Sequence, residues 1–358
     1  MFEKWRGQWF EMSRRKTNRG PSWTGHAVLT GLALVLLLFV LPLLFLPGEE
    51  EEQEALPTAT LPAVEPVNVS PVPGWDESQT IRVLQSDGTV EAMTLADYLW
   101  GVVAAEMPAS FQTEALKAQT VAARTYCFYQ RAGSGDKHPG ADVCTDYTCC
   151  QAFLTREQAA VGWGENARRY TDKVAQAVAD TDGLLCLYNG QPIDAVFFSS
   201  SAGRTLDAAQ VWGNDVPYLT AVDSPEGEEV PGWHTQVTLS LAECAAKLRE
   251  KYPEIVLPDD PAAWFSDLTA DENGAVASVK VGDITLTGTQ ARSVFGLRST
   301  HFTVEVQDGT VIFQVLGYGH GVGLSQYGAN ALAEEGKTFD EILKWYYTGV
   351  TVAGWEAG

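Results

Sequence analysis

"YLWGVVAAEMPASFQTEALKAQTVAARTY", residues 98–126, decides how the fold is read. Counting back from Glu106 in helical steps gives Val102, Leu99 and Leu95, spaced three and four apart. These positions share one helical stripe, the face expected to be buried. Pro108 cannot continue that helix and biases Met107 away from helical angles, so Glu106 falls in the last turn. The negative end of the helix dipole and a desolvated stripe both favour the protonated carboxyl. A neutral carboxylic acid is what general acid catalysis requires. The competing reading is a solvated glutamate at the edge of a loosely packed stripe.

A second helix follows in "FQTEALKAQTVAARTYCFYQRA", where Ala115, Ala118 and Ala122 permit close packing against neighbouring backbone. Lys117 and Arg124 stand seven apart on it and form a basic stripe. For Lys117 the alternative is a surface pair with Glu114, worth roughly a few tenths of a kcal/mol. Arg124 has no such partner nearby in sequence.

Upstream, "TIRVLQSDGTVEAMTL" from Thr80 reads as two short strands around an Asp-Gly turn. Residues 47–79 are acidic, then rich in Pro, Val and Thr, and read as a semi-rigid extended spacer. Residues 27–46 run without a charge, a length that spans about 30 Å of hydrocarbon as a helix. Basic residues dominate the tail 1–26, and "GEEEEQE" follows the apolar run. The positive-inside rule then predicts an uncleaved single-pass anchor, with a cytoplasmic N-terminus and residues 80–354 extracytoplasmic. A cleaved signal peptide is the rival reading.

Downstream, a Gly- and Cys-bearing loop at about 133–150 precedes the helical "ENARRYTDKVAQAVADTDG" and strands within "LLCLYNGQPIDAVFFSSSAG". Between about 232 and 316, helix-like and strand-like runs alternate, as in a smaller strand-rich lobe or insertion. The Gly-rich "GYGHGVGLSQYGA" then leads into helical "ANALAEEGKTFDEILKWYY". No internal repeat is apparent. The class is α+β, a membrane-anchored domain mixing helices and strands.

Of the 358 residues, 24 are Lys or Arg and 46 Asp or Glu. Setting aside residues 1–46 leaves 18 against 44, a formal charge of −26. Such a surface offers nucleic acid no basic footprint, so phosphate-tracking binders are excluded. Acidity of this kind also serves plain solubility.

"KHPGADVCTDYTCCQAF" sets His138, Cys144 and Cys150 at spacings of six and six, a zinc-type donor set with Cys149 adjacent. Adjacent cysteines seldom both bind one ion, and a disulfide from Cys144 to one of the pair is the alternative in an oxidising compartment. Cys127, Cys186 and Cys244 are scattered and read as small buried hydrophobes. "GYGHGVGLSQYGA" has five glycines and lacks the lysine of a phosphate loop. Its His320, Ser325, Gln326 and Tyr327 suit hydrogen bonding to a sugar, or simply a tight turn. Ser199, Ser200 and Ser201 lack the context of a nucleophile elbow. Trp100, Trp163 and Trp212 suit sugar stacking but equally a core.

Taken together, "YLWGVVAAEMPASFQTEALKAQTVAARTY", "DVCTDYTCCQAF", "FFSSSAGRT", "VWGNDVPYLTAVDSP", "VFGLRSTHF" and "GYGHGVGLSQYGA" resemble the stage II sporulation protein D family. The resemblance covers roughly residues 80–350. It implies a lytic transglycosylase that cleaves the MurNAc–GlcNAc bond of peptide-stripped glycan strands to 1,6-anhydro products, in septal remodelling and engulfment. It places Glu106 on the family's catalytic glutamate. Lys117, Arg124 and Tyr218 fall on positions associated with activity, and Gln119, His320, Ser325 and Gln326 join them as substrate-binding or supporting residues. A cation close to Glu106 would lower its pKa, so Arg124 is assigned to positioning substrate or a loop. The resemblance also implies zinc at His138, Cys144 and Cys150. The family commonly has His where Cys149 stands, so either Cys149 substitutes as a ligand or the metal keeps an open position. The implied partner is a membrane-bound cell-wall amidase. Two other classes remain: a non-catalytic wall-binding activator of an amidase, and a zinc-dependent hydrolase, for which no H-E-x-x-H motif is present.

Overall fold

The computed structural model describes residues 72–133 and 137–355. The basic tail, the apolar run 27–46 and most of the expected spacer lie outside the described residues. Among those described, no helix is long and apolar enough to cross a membrane. The fold is mixed α+β, with several small sheets around a central helix.

The spacer does not extend to residue 79. A short helix α1 (Trp75–Ser78) opens at Gly74, and the Asp182 carboxylate accepts the backbone N–H groups of Gly74, Trp75 and Asp76 at 2.5, 3.2 and 2.7 Å. An anion on the unpaired N–H groups of a helix start is favourable, and composition alone gives no sign of it. Trp75 also packs on Phe128, ring centroids 5.3 Å apart.

Strands β1 (Thr80–Leu84) and β2 (Val90–Thr94) form the expected antiparallel hairpin, and β3 (Val143–Cys144) adds in parallel to β1. Helix α2 (Leu95–Glu106) starts at Thr94, whose hydroxyl accepts from Asp97 N–H, and ends where Met107 turns extended. Leu95, Leu99 and Val102 are buried with Ile81 and Val83, as the stripe requires. The opposite face is buried as well, since Trp100, Val103 and Ala104 join a second cluster. The helix is therefore a central element rather than a one-sided one. Gly101 makes this possible: a Cβ there would overlap the Phe153 ring and lie 2.8 Å from the Leu154 carbonyl. The chain after the cysteines thus runs against α2.

Helix α3 (Thr113–Gly133) crosses the centre, with Ala115, Ala118 and Ala122 fully buried. Around it lie α4 (Arg156–Trp163), α5 (Ala167–Ala179) and β4 (Leu184–Tyr188). Strand β4 pairs with β5 (Gln191–Pro192) and with the last strand of the chain, Thr351–Gly354. Strand β6 (Phe197–Phe198) and helix α6 (Ala208–Trp212) complete this part of the chain.

Residues 234–316 enclose a core of their own. Strand β7 (His234–Ser240) leads through α7 (Leu241–Lys251) to a sheet of β8 (Phe265–Ala270), β9 (Val276–Val281) and β10 (Ile284–Thr287). Helix α8 (Gly288–Phe295) and the hairpin β11 (His301–Gln307) and β12 (Thr310–Leu316) follow. Phe295, Phe302 and Phe313 are buried together, and β12 alternates buried and half-buried positions. Because β12 pairs with β7, Leu316 lies opposite His234, and the lobe leaves beside the point where it entered.

Strand β13 (Leu324–Ser325) pairs in parallel with β6. The helical run expected after it splits into α9 (Gln326–Glu334) and α10 (Phe339–Tyr346). Gly336, at φ 93°, stops the first, and a Thr338–Glu341 capping box starts the second.

Candidate active site

Glu106 is held from two directions. Its Oε1 accepts the backbone N–H of Ala152 at 2.7 Å, and its Oε2 accepts from Gln326 Nε2 at 3.2 Å. Burial raises its carboxyl above the usual glutamate range, and the two donors only partly oppose the rise. The direction is the one the helix-end argument demands.

Each donor arrives by a separate route. Ala152 follows the cysteine loop, fixed where Leu154 N–H bonds the Gly101 carbonyl at 3.1 Å. Gln326 is the first residue of α9, at the end of the Gly-rich segment. In that segment Gly317, Gly319, Gly321 and Gly323 have φ of 73°, 129°, 84° and 75°. Alternating left-handed positions are open to glycine, and they thread the chain tightly past β6.

The other residues of the Gly-rich segment work inward. His320 Nε2 bonds the Phe197 carbonyl at 3.0 Å, while Nδ1 accepts from Val322 N–H at 3.2 Å. Burial pushes its imidazole down to about 4, so it is neutral and shapes the loop. Ser325 is fully buried, donating to the Glu226 carboxylate and accepting from Gly328 N–H at 3.3 Å. It is a helix cap, not a sugar contact. Only Gln326 of this group reaches Glu106.

The expected basic stripe is neutralised within the protein. Lys117 Nζ lies 3.0 Å from Glu114 and 2.9 Å from Asp180. Arg124 is wholly buried, its Nε and terminal N–H group forking onto Asp76 at 2.8 and 2.6 Å. A third nitrogen donates to the Leu184 carbonyl at 3.0 Å. Of the two roles expected for Arg124, positioning substrate or a loop, this burial excludes contact with substrate: what it positions is α1 against α3. Gln119 is buried on the same helix, and neither end of its amide has a partner among the described residues. Tyr218 is half-buried, its hydroxyl accepting from Asp194 N–H at 3.1 Å.

His138, Cys144, Cys149 and Cys150 bring one donor atom each within 4.8 Å of one another. His138 Nε2 is 3.2 Å from Cys150 Sγ and 3.6 Å from Cys149 Sγ. Tetrahedral zinc, with bonds of about 2.0–2.3 Å, separates its donors by about 3.5–3.8 Å, so the set fits that ion. Both adjacent cysteines point the same way because Asp146 O accepts their two backbone N–H groups in one turn, at 3.0 and 2.8 Å. Burial lowers the His138 pKa, which favours the neutral imidazole a metal takes. Among the described residues, which include all six cysteines, no disulfide is formed, and Cys127, Cys186 and Cys244 are buried.

The Ala152 amide, Glu226, Asp76 and Asp182 escape sequence reasoning. A backbone N–H has no residue signature, and Glu226 sits in "DSPEGEE", which reads as a solvated acidic run.

The family model described as Stage II sporulation protein matches residues 85–188, which include Glu106 and the His/Cys cluster. Stage II sporulation protein D of Bacillus subtilis (strain 168) is 35% identical over 340 residues, covering 91% of this chain and 95% of that protein. Its Bacillus amyloliquefaciens counterpart is 33% identical over 345 residues, covering 91% and 94%. The amidase enhancer of Bacillus subtilis (strain 168) is 29% identical over 315 residues, covering 72% of this chain and 40% of that protein.

Proposed function

The chain belongs to the stage II sporulation protein D family, and from that premise we propose that it is a peptidoglycan lytic transglycosylase acting on peptide-stripped glycan in sporulation. The observation that carries this reading is Glu106: a carboxyl whose pKa burial raises above the ordinary value, yet faced by two N–H donors.

That combination suits a group that must work as acid and then as base. Protonated Glu106 gives its proton to the glycosidic oxygen as the C1–O bond of N-acetylmuramic acid breaks. The carboxylate so formed is stabilised where Ala152 and Gln326 donate, because hydrogen bonds to an ionised oxygen are the stronger ones. It then takes the proton of the muramic 6-hydroxyl as O6 closes on C1, leaving a 1,6-anhydro end and the acid restored. An intramolecular hydroxyl has a high effective concentration, so a second carboxylate to activate water is not needed.

His138, Cys144, Cys149 and Cys150 are assigned to zinc, which when bound supplies a structural cross-link. These residues hold the segment that runs from Cys150 to Ala152, so they fix the N–H that faces Glu106. Residues 27–46 are assigned to a single-pass anchor that keeps the catalytic part outside the cell membrane, next to a membrane-bound amidase. The similarity to an amidase enhancer favours one second reading, non-catalytic activation of an amidase.

Glu106→Gln separates the two. Mass spectrometry of products from peptide-stripped glycan is expected to show anhydro ends with the wild-type chain and at least a roughly 100-fold loss with the variant. Anhydro products at the wild-type rate from the variant would sink the assignment. An amidase stimulated equally by both proteins, with no anhydro product from either, would establish the second reading.

A further inference from the structure

Glu226 comes from the segment after α6, 120 positions along the chain from Glu106, yet hydrogen bonds connect the two. Its side chain is 3% exposed and its oxygens are fully engaged. Oε1 accepts the backbone N–H of Ser201 at 2.7 Å and the hydroxyl of Ser325. Oε2 accepts the Ser224 hydroxyl at 2.6 Å, and Ser224 Oγ lies 2.7 Å from the Tyr346 hydroxyl on α10. With Ser224 Oγ donating to Glu226, the tyrosine is the donor in that last contact. Gly328 leaves room for the cluster, because a Cβ there would collide with the Tyr346, Ser224 and Glu226 oxygens.

We propose that Glu226 is a positioning residue for the Glu106 site, acting through the Ser325 cap to fix the Gln326 side chain against Glu106. The chain of contacts is short. Ser325 donates to Glu226 and in turn caps α9 by accepting from Gly328 N–H. Gln326 is the next residue, and its amide reaches Glu106 Oε2. A capping hydroxyl on a buried carboxylate anchors the first turn of α9 firmly, where Ser325 alone would leave it to fray. Truncating Glu226 frees three donors in a dry pocket, and they regain partners only by shifting that turn.

The inference rests on the Glu106 reading above, so its test reads the Glu106 carboxyl without substrate. Carbodiimide coupling to a small amine consumes protonated carboxyls, and peptide mass spectrometry of the full chain follows Glu106 against pH, with exposed Glu335 as internal reference. Gln326→Leu removes a donor that lowers the Glu106 pKa and is expected to raise its labelling midpoint by about half to one pH unit. Glu226→Ala, which removes the acceptor of Ser325, is expected to raise it similarly. The Glu226→Ala/Gln326→Leu double variant should go no further than Gln326→Leu alone. Ser325→Ala keeps the glutamate, breaks the link and gives the same upward shift, which covers the case of a Glu226 variant that fails to fold. A midpoint unmoved in Glu226→Ala or Ser325→Ala, or shifts that simply add in the double variant, overturns the proposal. Glycan cleavage measured in parallel tests the transglycosylase reading separately.

Discussion

Glu106 carries opposing influences, and their sign fixes how it responds to pH. Its folded-state pKa lies above the ordinary value of 4.5, so between the two the folded chain holds more protons than the unfolded one. Raising the pH through that window therefore costs stability, and Glu106→Gln should flatten this part of a denaturation-versus-pH curve. On the proposed mechanism the acid form is the active one, so the rate on stripped glycan should fall along a single limb whose midpoint lies above 4.5. A limb at or below that value would place the proton on another group. Arg124 makes a different residue-scale case. Because it forks onto Asp76 in the interior, Arg124→Ala strands a buried carboxylate and should lower unfolding free energy by about 3–5 kcal/mol in urea titration. The place of Glu106 at the end of a buried helix was legible from one helix's periodicity and one proline. Arg124 was not, since its partner stands 48 residues away in a stretch whose composition suggested a spacer.

At the scale of elements, two segments with no regular structure of their own deliver the donors. The Gly-rich stretch was recognisable as a place of close backbone approach, but its polar residues suited sugar ligands as well as a tight turn. The structure turns His320 and Ser325 inward because an alternating left-handed chain packed on β6 has buried polar groups to satisfy. The cysteine loop was recognisable as a metal-type set, while the turn at Asp146 that brings Cys149 into it was not. Removing a structural ion should loosen this loop first. The full chain is expected to hold about one zinc per molecule by elemental analysis. His138→Ala and Cys144→Ser should lower that content, and chelation should speed proteolytic cutting between 137 and 151. Glu106→Gln should retain the metal. Unchanged zinc content in Cys144→Ser would remove that residue from the ligand set.

For the whole molecule, composition and order foretold much: the α+β class, the hairpin at Thr80 and the strand-rich stretch from about 232. That stretch has a core because Phe295, Phe302 and Phe313 meet from α8, β11 and β12. What composition did not settle is where the charge acts. The formal charge beyond residue 46 is −26, and the two cations expected to offset it near the site are both occupied: Lys117 by Glu114 and Asp180, Arg124 by Asp76. Stripping the stem peptide from muramic acid uncovers its lactyl carboxylate, so the proposed substrate is itself a polyanion. Protein and strand then repel at long range, and salt weakens that repulsion as the screening length shrinks from about 30 Å at 0.01 M to about 8 Å at 0.15 M. Raising ionic strength across this range should therefore lower KM for stripped glycan and leave kcat unchanged, since encounter is affected and the desolvated Glu106 is not. A basic groove predicts the reverse slope. Steady-state rates at four or five salt concentrations, with stripped glycan whose lactyl carboxylates are converted to amides as the uncharged control, distinguish the two. A KM that rises with salt for the glycan alone would mean that local cations, not the molecule's net charge, govern approach to the site.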